Sequence, residues 1–179
     1  MSKRNGKMKY LAIGAIGLIA AGGLALDTTY QIQEQEQAVL TTFGVPKAVN
    51  ETGLHFKVPF VQQVQKVNTT IQGFPIGYSM GNNEVVENEG IMITSDYNFI
   101  DVDFFVEYRI SEPVKYLYTS EQPEEILKNI AQSCIRTVIA SYNVDEVLTT
   151  GKGEIQSKIK EMILNQMEEQ DLGIQLEHN

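Results

Sequence analysis

The chain has 179 residues, 42% of them hydrophobic, enough for one domain of ordinary size with a real core plus a terminal segment. Lys3, Arg4, Lys7 and Lys9 are four of its 14 basic residues and no acid precedes Asp27, so the rest sets 10 basic against 23 acidic residues, a net of about −13. A body that acidic is repelled by phosphate backbones, which argues against nucleic acid as a partner. A single cysteine, Cys134, excludes an internal disulfide or a multi-cysteine zinc site, and two histidines, His55 and His178, exclude a His-rich metal centre.

Residues 1–7 form a basic N-terminus. Residues 8–26, MKYLAIGAIGLIAAGGLAL, carry one charge, Lys9, at their edge. As a helix this segment is about 28 Å long, close to the ~30 Å hydrocarbon core of a bilayer. The positive-inside rule then puts the N-terminus in the cytoplasm and everything after Asp27 outside it, in a single-pass membrane protein. Gly17, Ala21 and Ala25 have the small-xxx-small spacing that lets a second helix approach closely, although Gly and Ala are common in such spans anyway. The competing reading is a signal peptide cleaved after Ala25, at Gly23-Leu24-Ala25, which would release an extracytoplasmic binding module. The apolar run exceeds the usual 7–15 residues or so of a signal peptide's apolar region, which favours a retained anchor. N-terminal sequencing that found Leu26 first would overturn the anchor.

Residues 31–110 read as strand-rich. Gln37–Phe43 is β-prone and ends at Gly44; Val45-Pro46 and Asn50–Gly53 mark turns; Leu54–Val58 is a short strand stopped by Pro59. Val61, Val64 and Val67 recur every three residues, and the β-branched content leans this stretch towards strand. Residues 77–90 are polar and rich in Gly and Asn, which reads as a loop or weak hairpin. From Ile100 to Ile110 the chain alternates: apolar residues fall at the even positions, and Asp101, Asp103, Glu107 and Arg109 at odd ones. Asp96 lies just upstream. Acids at a two-residue period lie about 6–7 Å apart along a strand, so Asp96, Asp101 and Asp103 would be the residues of a metal-dependent hydrolase. No converging His or further oxygen ligand is identifiable. Alternation against an apolar face is what a sheet with one solvated side requires, so the acids read as a wet face, with Arg109 available for a salt bridge to a neighbouring subunit.

After Ile110 the character changes. Pro113 to Tyr118 is a short turn or helix. Pro123, Glu124 and Glu125 suit a first helical turn, and Ile126, Leu127, Ile130, Cys134, Ile135 and Val138 continue it as one apolar stripe to about Ala140. Cys134 on that stripe reads as a buried structural thiol. Asn143-x-x-Glu146 is an N-cap pattern opening a short helix that stops at Gly151, and Gly151-Lys152-Gly153 lacks the further residues of a phosphate loop. Glu154 to Gln170 forms an amphipathic helix ended by Gly173, after which Ile174 and Leu176 begin a strand pattern. A continuation beyond this point is expected.

Four stretches resemble one family in its own order. Gly53-Leu54-His55-Phe56 with Pro59-Phe60 is similar to the GLHF..PF element of SPFH proteins, the superfamily of stomatin, prohibitin, flotillin and HflK/HflC. MITSDYNFIDVDFFVEYRISEP, AQSCIRTVIASYNVDEVLTTGKGEI and Gly173-Ile174 resemble its later blocks, so the likeness covers residues 27–179. The single span and extracytoplasmic domain resemble the HflK/HflC branch most. The resemblance implies an α+β SPFH domain behind a transmembrane helix at 8–26. Its first subdomain, 27–109, would be β-rich and membrane-proximal, and its second, 110–179, helical with a terminal strand. It implies a non-enzymatic scaffold without cofactor that lies on the lipid bilayer and joins like or related SPFH subunits in a large ring or cage. Such a scaffold organises a membrane microdomain and modulates an FtsH-type membrane AAA protease. Leu54, His55, Phe56 and Phe60 would lie near the membrane; by pattern alone Leu54, Phe56 and Phe60 are equally readable as core. A stomatin-like regulator of a channel or transporter is the alternative within the superfamily. Two departures stand out: these 179 residues stop before the family's long coiled-coil region, and Gly151-Lys152-Gly153 stands where many relatives carry a basic residue in a t-R-ei pattern.

Overall fold

A computed structural model of the chain describes residue 14 and residues 28–81, 84–149 and 151–177. Gly17, Ala21 and Ala25, with the rest of the apolar segment apart from Gly14, lie outside the described residues. Among the described residues no helix is long and apolar enough to cross a membrane. The chain divides into two compact units, Met1–Asn68 and Thr69–Asn179.

The first unit is built of short antiparallel strands. β1 (Thr29–Ile32) pairs with β4 (Gly53–Phe56), while β2 (Glu36–Thr42) lies between β3 (Val45–Val49) and β5 (Gln62–Asn68). Ile32, Ala38, Val39 and Val67 are its buried apolar residues. Pro46, expected to mark a turn, instead lies within β3 opposite Thr41. It is tolerated there because β3 is an edge strand, where a missing N–H breaks no interior ladder. The three-residue recurrence of valines is also resolved as strand: Gln65 and Lys66 are both exposed between Val64 and the buried Val67, an interruption of the two-residue alternation.

The second unit holds β6 (Gln72–Ile76), α1 (Glu87–Gly90), β7 (Ile91–Ile93), β8 (Phe99–Asp101), β9 (Phe104–Ile110), α2 (Pro113–Tyr118), α3 (Pro123–Ile139), α4 (Val144–Leu148), α5 (Lys152–Gln170) and β10 (Ile174–Leu176). β9 is the middle strand of a three-stranded antiparallel sheet, between β10 and β6, and β7 and β8 form a separate hairpin. The predicted stripe of α3 is its buried face: Leu127, Ala131, Cys134, Ile135 and Val138 pack with Ile155, Ile159 and Ile163 of α5 and with Val106 and Tyr108 of β9. The boundary between units therefore differs from the expected one at 109/110. That position falls at the end of β9, which is hydrogen-bonded on both sides to strands of the same unit.

Several local rules act as the sequence predicts. Asn143 Oδ1 accepts from Glu146 N at 2.9 Å and Asn143 N donates to Glu146 Oε2 at 3.0 Å, a complete capping box at the start of α4. Gly173 has φ +71°, and its carbonyl accepts from the backbone N–H groups of Ser111 and Glu112 at 2.9 and 3.0 Å. A Cβ at that position would lie 2.8 Å from Tyr116 N and would also clash with the Glu112 carbonyl, so the close approach of β10 to α2 requires glycine. In the stretch expected as a loop or weak hairpin, Tyr78 and Val85 form an antiparallel bridge, and residues 87–90 form α1. α1 is tied to α3 by Lys128 Nζ on Glu89 Oε1 at 2.6 Å and by the Arg136 guanidinium on the Asn88 carbonyl.

Candidate interaction surfaces

The acidic stretch is two strands and not one. β8 ends at Asp101, β9 begins at Phe104, and Val102 N donates to Gly90 O in the gap. The alternation nevertheless persists across the break: Val106, Tyr108 and Ile110 are buried, Ile100, Val102 and Phe104 half-buried, and Asp101, Asp103, Phe105 and Arg109 exposed. Arg109 is engaged within its own chain. Its Nε lies 2.8 Å from the buried Glu177 Oε1, an ion pair without hydrogen-bond geometry, and its terminal nitrogen donates to Gln175 Oε1 at 3.0 Å. Its expected availability to a neighbouring subunit is therefore reduced, because Glu177, the residue that follows β10, meets it first. Glu107 is half-buried on the same face.

Asp96 serves the fold. Its carboxylate accepts from Thr94 Oγ1 at 2.7 Å, Asn98 Nδ2 at 2.8 Å and the backbone N–H of Val144 at 3.1 Å, tying the β7–β8 turn to the first turn of α4. Those bonds, the Thr94 hydroxyl foremost, hold its carboxyl below the usual aspartate range. Among the described residues no group of three or more His, Cys, Asp or Glu side chains is placed to hold a metal ion. Cys134 is fully buried and burial pushes its thiol up. Tyr116 donates to Glu124 Oε1 at 2.9 Å, joining α2 to α3, and burial first, then that carboxylate, pushes its hydroxyl up to about 12.

The first unit presents a different surface. Along β4 and the turn after it, Leu54, Phe56, Val58 and Phe60 are all exposed at every second position, Phe60 to 95%. His55, on the opposite parity, is half-buried: its ring stacks on Tyr30 with centroids 5.3 Å apart, and its Nε2 lies 2.7 Å from the Glu51 carbonyl. It therefore stands apart from the phenylalanines with which the sequence grouped it. At the neighbouring turn between β2 and β3, Phe43 is 83% exposed and Val45 69%. Phe43 N bonds to Val61 O at 3.4 Å, so the tips carrying Phe43 and Phe60 stand side by side.

Both phenylalanines have positive φ, +48° at Phe43 and +65° at Phe60. A two-residue hairpin turn with φ > 0 at both positions ordinarily takes Asn-Gly; here it is Phe43-Gly44, with Gly44 at φ +85°. A bulky residue in that region is strained by about 1–2 kcal/mol relative to ordinary backbone. Sequence reasoning missed Phe43, Val45 and Val58; an aromatic residue before Gly at a hairpin turn was the available signal.

A strand-rich unit with an apolar end and a unit of helices packed on an antiparallel sheet together define an α+β domain. Residues 30–177 match the model of the SPFH domain / Band 7 family, and the chain belongs to that family. It is 33% identical over 175 residues to "Modulator of FtsH protease HflK" of Escherichia coli (strain K12), covering 96% of this chain and 37% of that protein. It is similar also to "Protein HflK" of Buchnera aphidicola subsp. Schizaphis graminum, 32% identical over 81% of this chain and 33% of the relative, and of Treponema pallidum, 28% identical over 90% and 52%. The chain thus spans about a third to a half of the length of these relatives.

Proposed function

We propose that this protein is a membrane-anchored scaffold of the HflK/HflC type, without enzymatic activity, that modulates an FtsH-type membrane AAA protease. The observation that carries the reading is the apolar end of the first unit. Leu54, Phe56 and Phe60, with Phe43, Val45 and Val58, are exposed in a chain whose residues 8–26 are apolar and uncharged but for Lys9. Exposed aromatic side chains at turn tips suit the bilayer interface, where an apolar body is buried within the headgroup region. In this reading residues 8–26 anchor the chain with its N-terminus in the cytoplasm, and Gly17, Ala21 and Ala25 pack against a neighbouring span. The apolar tips rest on the outer face of the cell membrane. The similarity to relatives named as modulators of FtsH protease supports the client.

Assembly into a ring or cage of like or related subunits, bounding a membrane microdomain, is the mechanism by which such a scaffold restricts a protease's access to substrates. The exposed Asp101 and Asp103 are the acids free on their sides to face a subunit's basic residues; Glu107 and Arg109 contribute at the margin, since Arg109 already meets Glu177. Detergent solubilisation, pull-down and electron microscopy test the reading. A ring or cage enclosing a AAA protease is the expected result, and a lone monomer overturns it. Charge reversal at Asp101 and Asp103 is expected to reduce subunit crosslinking in membranes; unchanged oligomers overturn the lateral contact alone.

A further inference from the structure

The first unit has two ends of different charge. β2 runs from Glu36 to Thr42, and Thr42 pairs with Val45 of β3 and Gln62 of β5 beside the tips that carry Phe43 and Phe60. At the rise of a strand, Glu36 lies about 20 Å from Thr42. Residues 28–68 carry three acids, Glu34, Glu36 and Glu51, and three lysines, Lys47, Lys57 and Lys66.

All three acids belong to the far end. Glu34 and Glu36 stand at the turn between β1 and β2, and Glu51 stands in the turn before Gly53, the end of β4 opposite Phe56. Lys66 is at that end too and pairs with Glu36 at 3.4 Å. The other two lysines belong to the tip end. Lys47 is exposed two residues behind Val45 on the same side of β3, about 7 Å along the strand. Lys57 lies between the exposed Phe56 and Val58, and its backbone N–H donates to Thr28 O at 2.7 Å. Among the described residues, the tip end therefore joins an exposed apolar surface to two cations and no acid.

Composition gives no reason for this. A chain of net charge −9 is repelled as a whole by an anionic surface, so lysines gathered at one end reverse the charge locally. A lysine lays its four-carbon stem along apolar surface and carries its ammonium group to the water. With the phenylalanines buried among headgroups, both ammonium groups reach the layer of the phosphates, where net negative charge attracts them.

We propose that the apolar tip of the first unit selects anionic phospholipid, with Lys47 and Lys57 gathering the negatively charged headgroups around Phe43 and Phe60. This selectivity rests on the membrane contact proposed above and adds the lipid class to it. A zwitterionic headgroup carries its own cation and gives the two lysines no net charge to pair with. The contact is thus apolar in depth and electrostatic at its rim.

The chain has no tryptophan, so Phe60→Trp places a single indole at a position of the tip that is 95% exposed. The full chain with this change is reconstituted in equal mixtures of phosphatidylcholine and phosphatidylglycerol, with the acyl chains of only one of the two lipids brominated. Brominated phosphatidylglycerol is expected to quench the indole as if enriched about 5-fold or more beside it, the factor that one lysine near an anionic surface is worth. Adding Lys47→Gln and Lys57→Gln is expected to make the two lipids quench alike, and raising the salt concentration is expected to narrow the difference. Equal quenching before either change overturns the selectivity and leaves the membrane contact standing. Quenching by neither lipid overturns both. An enrichment that survives the loss of both lysines also overturns the proposal, because its source then lies elsewhere in the chain.

Discussion

β4 and β9 show the same two-residue alternation with opposite results. On β9 the apolar residues Val106, Tyr108 and Ile110 face the helices, and Arg109 faces solvent. On β4 and its extension the apolar residues Leu54, Phe56, Val58 and Phe60 face solvent, while His55 and Lys57 are the half-covered ones. The second unit sends apolar side chains to a core of two long helices on a sheet; the first has small hairpins and displays them. An apolar side turned outward is what the proposed membrane contact would cover, whereas one turned inward is already covered by its own chain.

The comparison is broken most directly through the second unit's core. Leu127→Ala, at a fully buried position on α3, is expected to lower stability by about 2–5 kcal/mol in urea titration. Gly173→Ala places a Cβ against α2 at φ +71° and is expected to cost roughly 1–3 kcal/mol. The first unit should behave in the reverse sense. Phe43→Asn with Phe60→Asn relieves two left-handed phenylalanines and is expected to leave stability unchanged within about 0.5 kcal/mol or to raise it. The same pair of changes is expected to weaken vesicle flotation at least tenfold, since burying a Phe side chain is worth about 1.5–3 kcal/mol. Loss of folding without loss of flotation would invert the assignment of the two regions.

Smaller effects sharpen it. Asn143→Ala removes the capping box of α4 and is expected to cost about 1 kcal/mol in thermal unfolding. Asp96 gives a pH signature. Its folded-state pKa is lowered, so its contribution is present above the unfolded value near ~3.9 and is lost as pH falls through the lower folded value. Melting temperature followed from pH 5 downwards should fall more steeply for the native chain than for Asp96→Asn; parallel curves would show that the Thr94 and Val144 bonds do not act on its ionisation.

Much of the second unit was legible because its rules are local. The stripe from Ile126 to Val138, the capping box at Asn143 and Glu146, and the glycine at 173 each follow from spacing and backbone geometry within a few residues. The unit boundary was not legible, since nothing near residue 110 reveals that β9 is flanked by β6 from one side of the sequence and β10 from the other. Arg109's engagement was hidden for the same reason: its acid lies 68 residues away, at 177.

The sequence by itself determined the periodicities, the caps and the family, because helix stripes, turn residues and ordered motifs are properties of neighbouring positions. Tertiary structure alone decided which alternating faces were covered. Alternation says that a strand has two unlike sides; only the presence or absence of a packed neighbour says which side is wet. That is why Asp96 became a loop tie, Arg109 an internal ion pair, and Phe43 and Phe60 an exposed apolar tip.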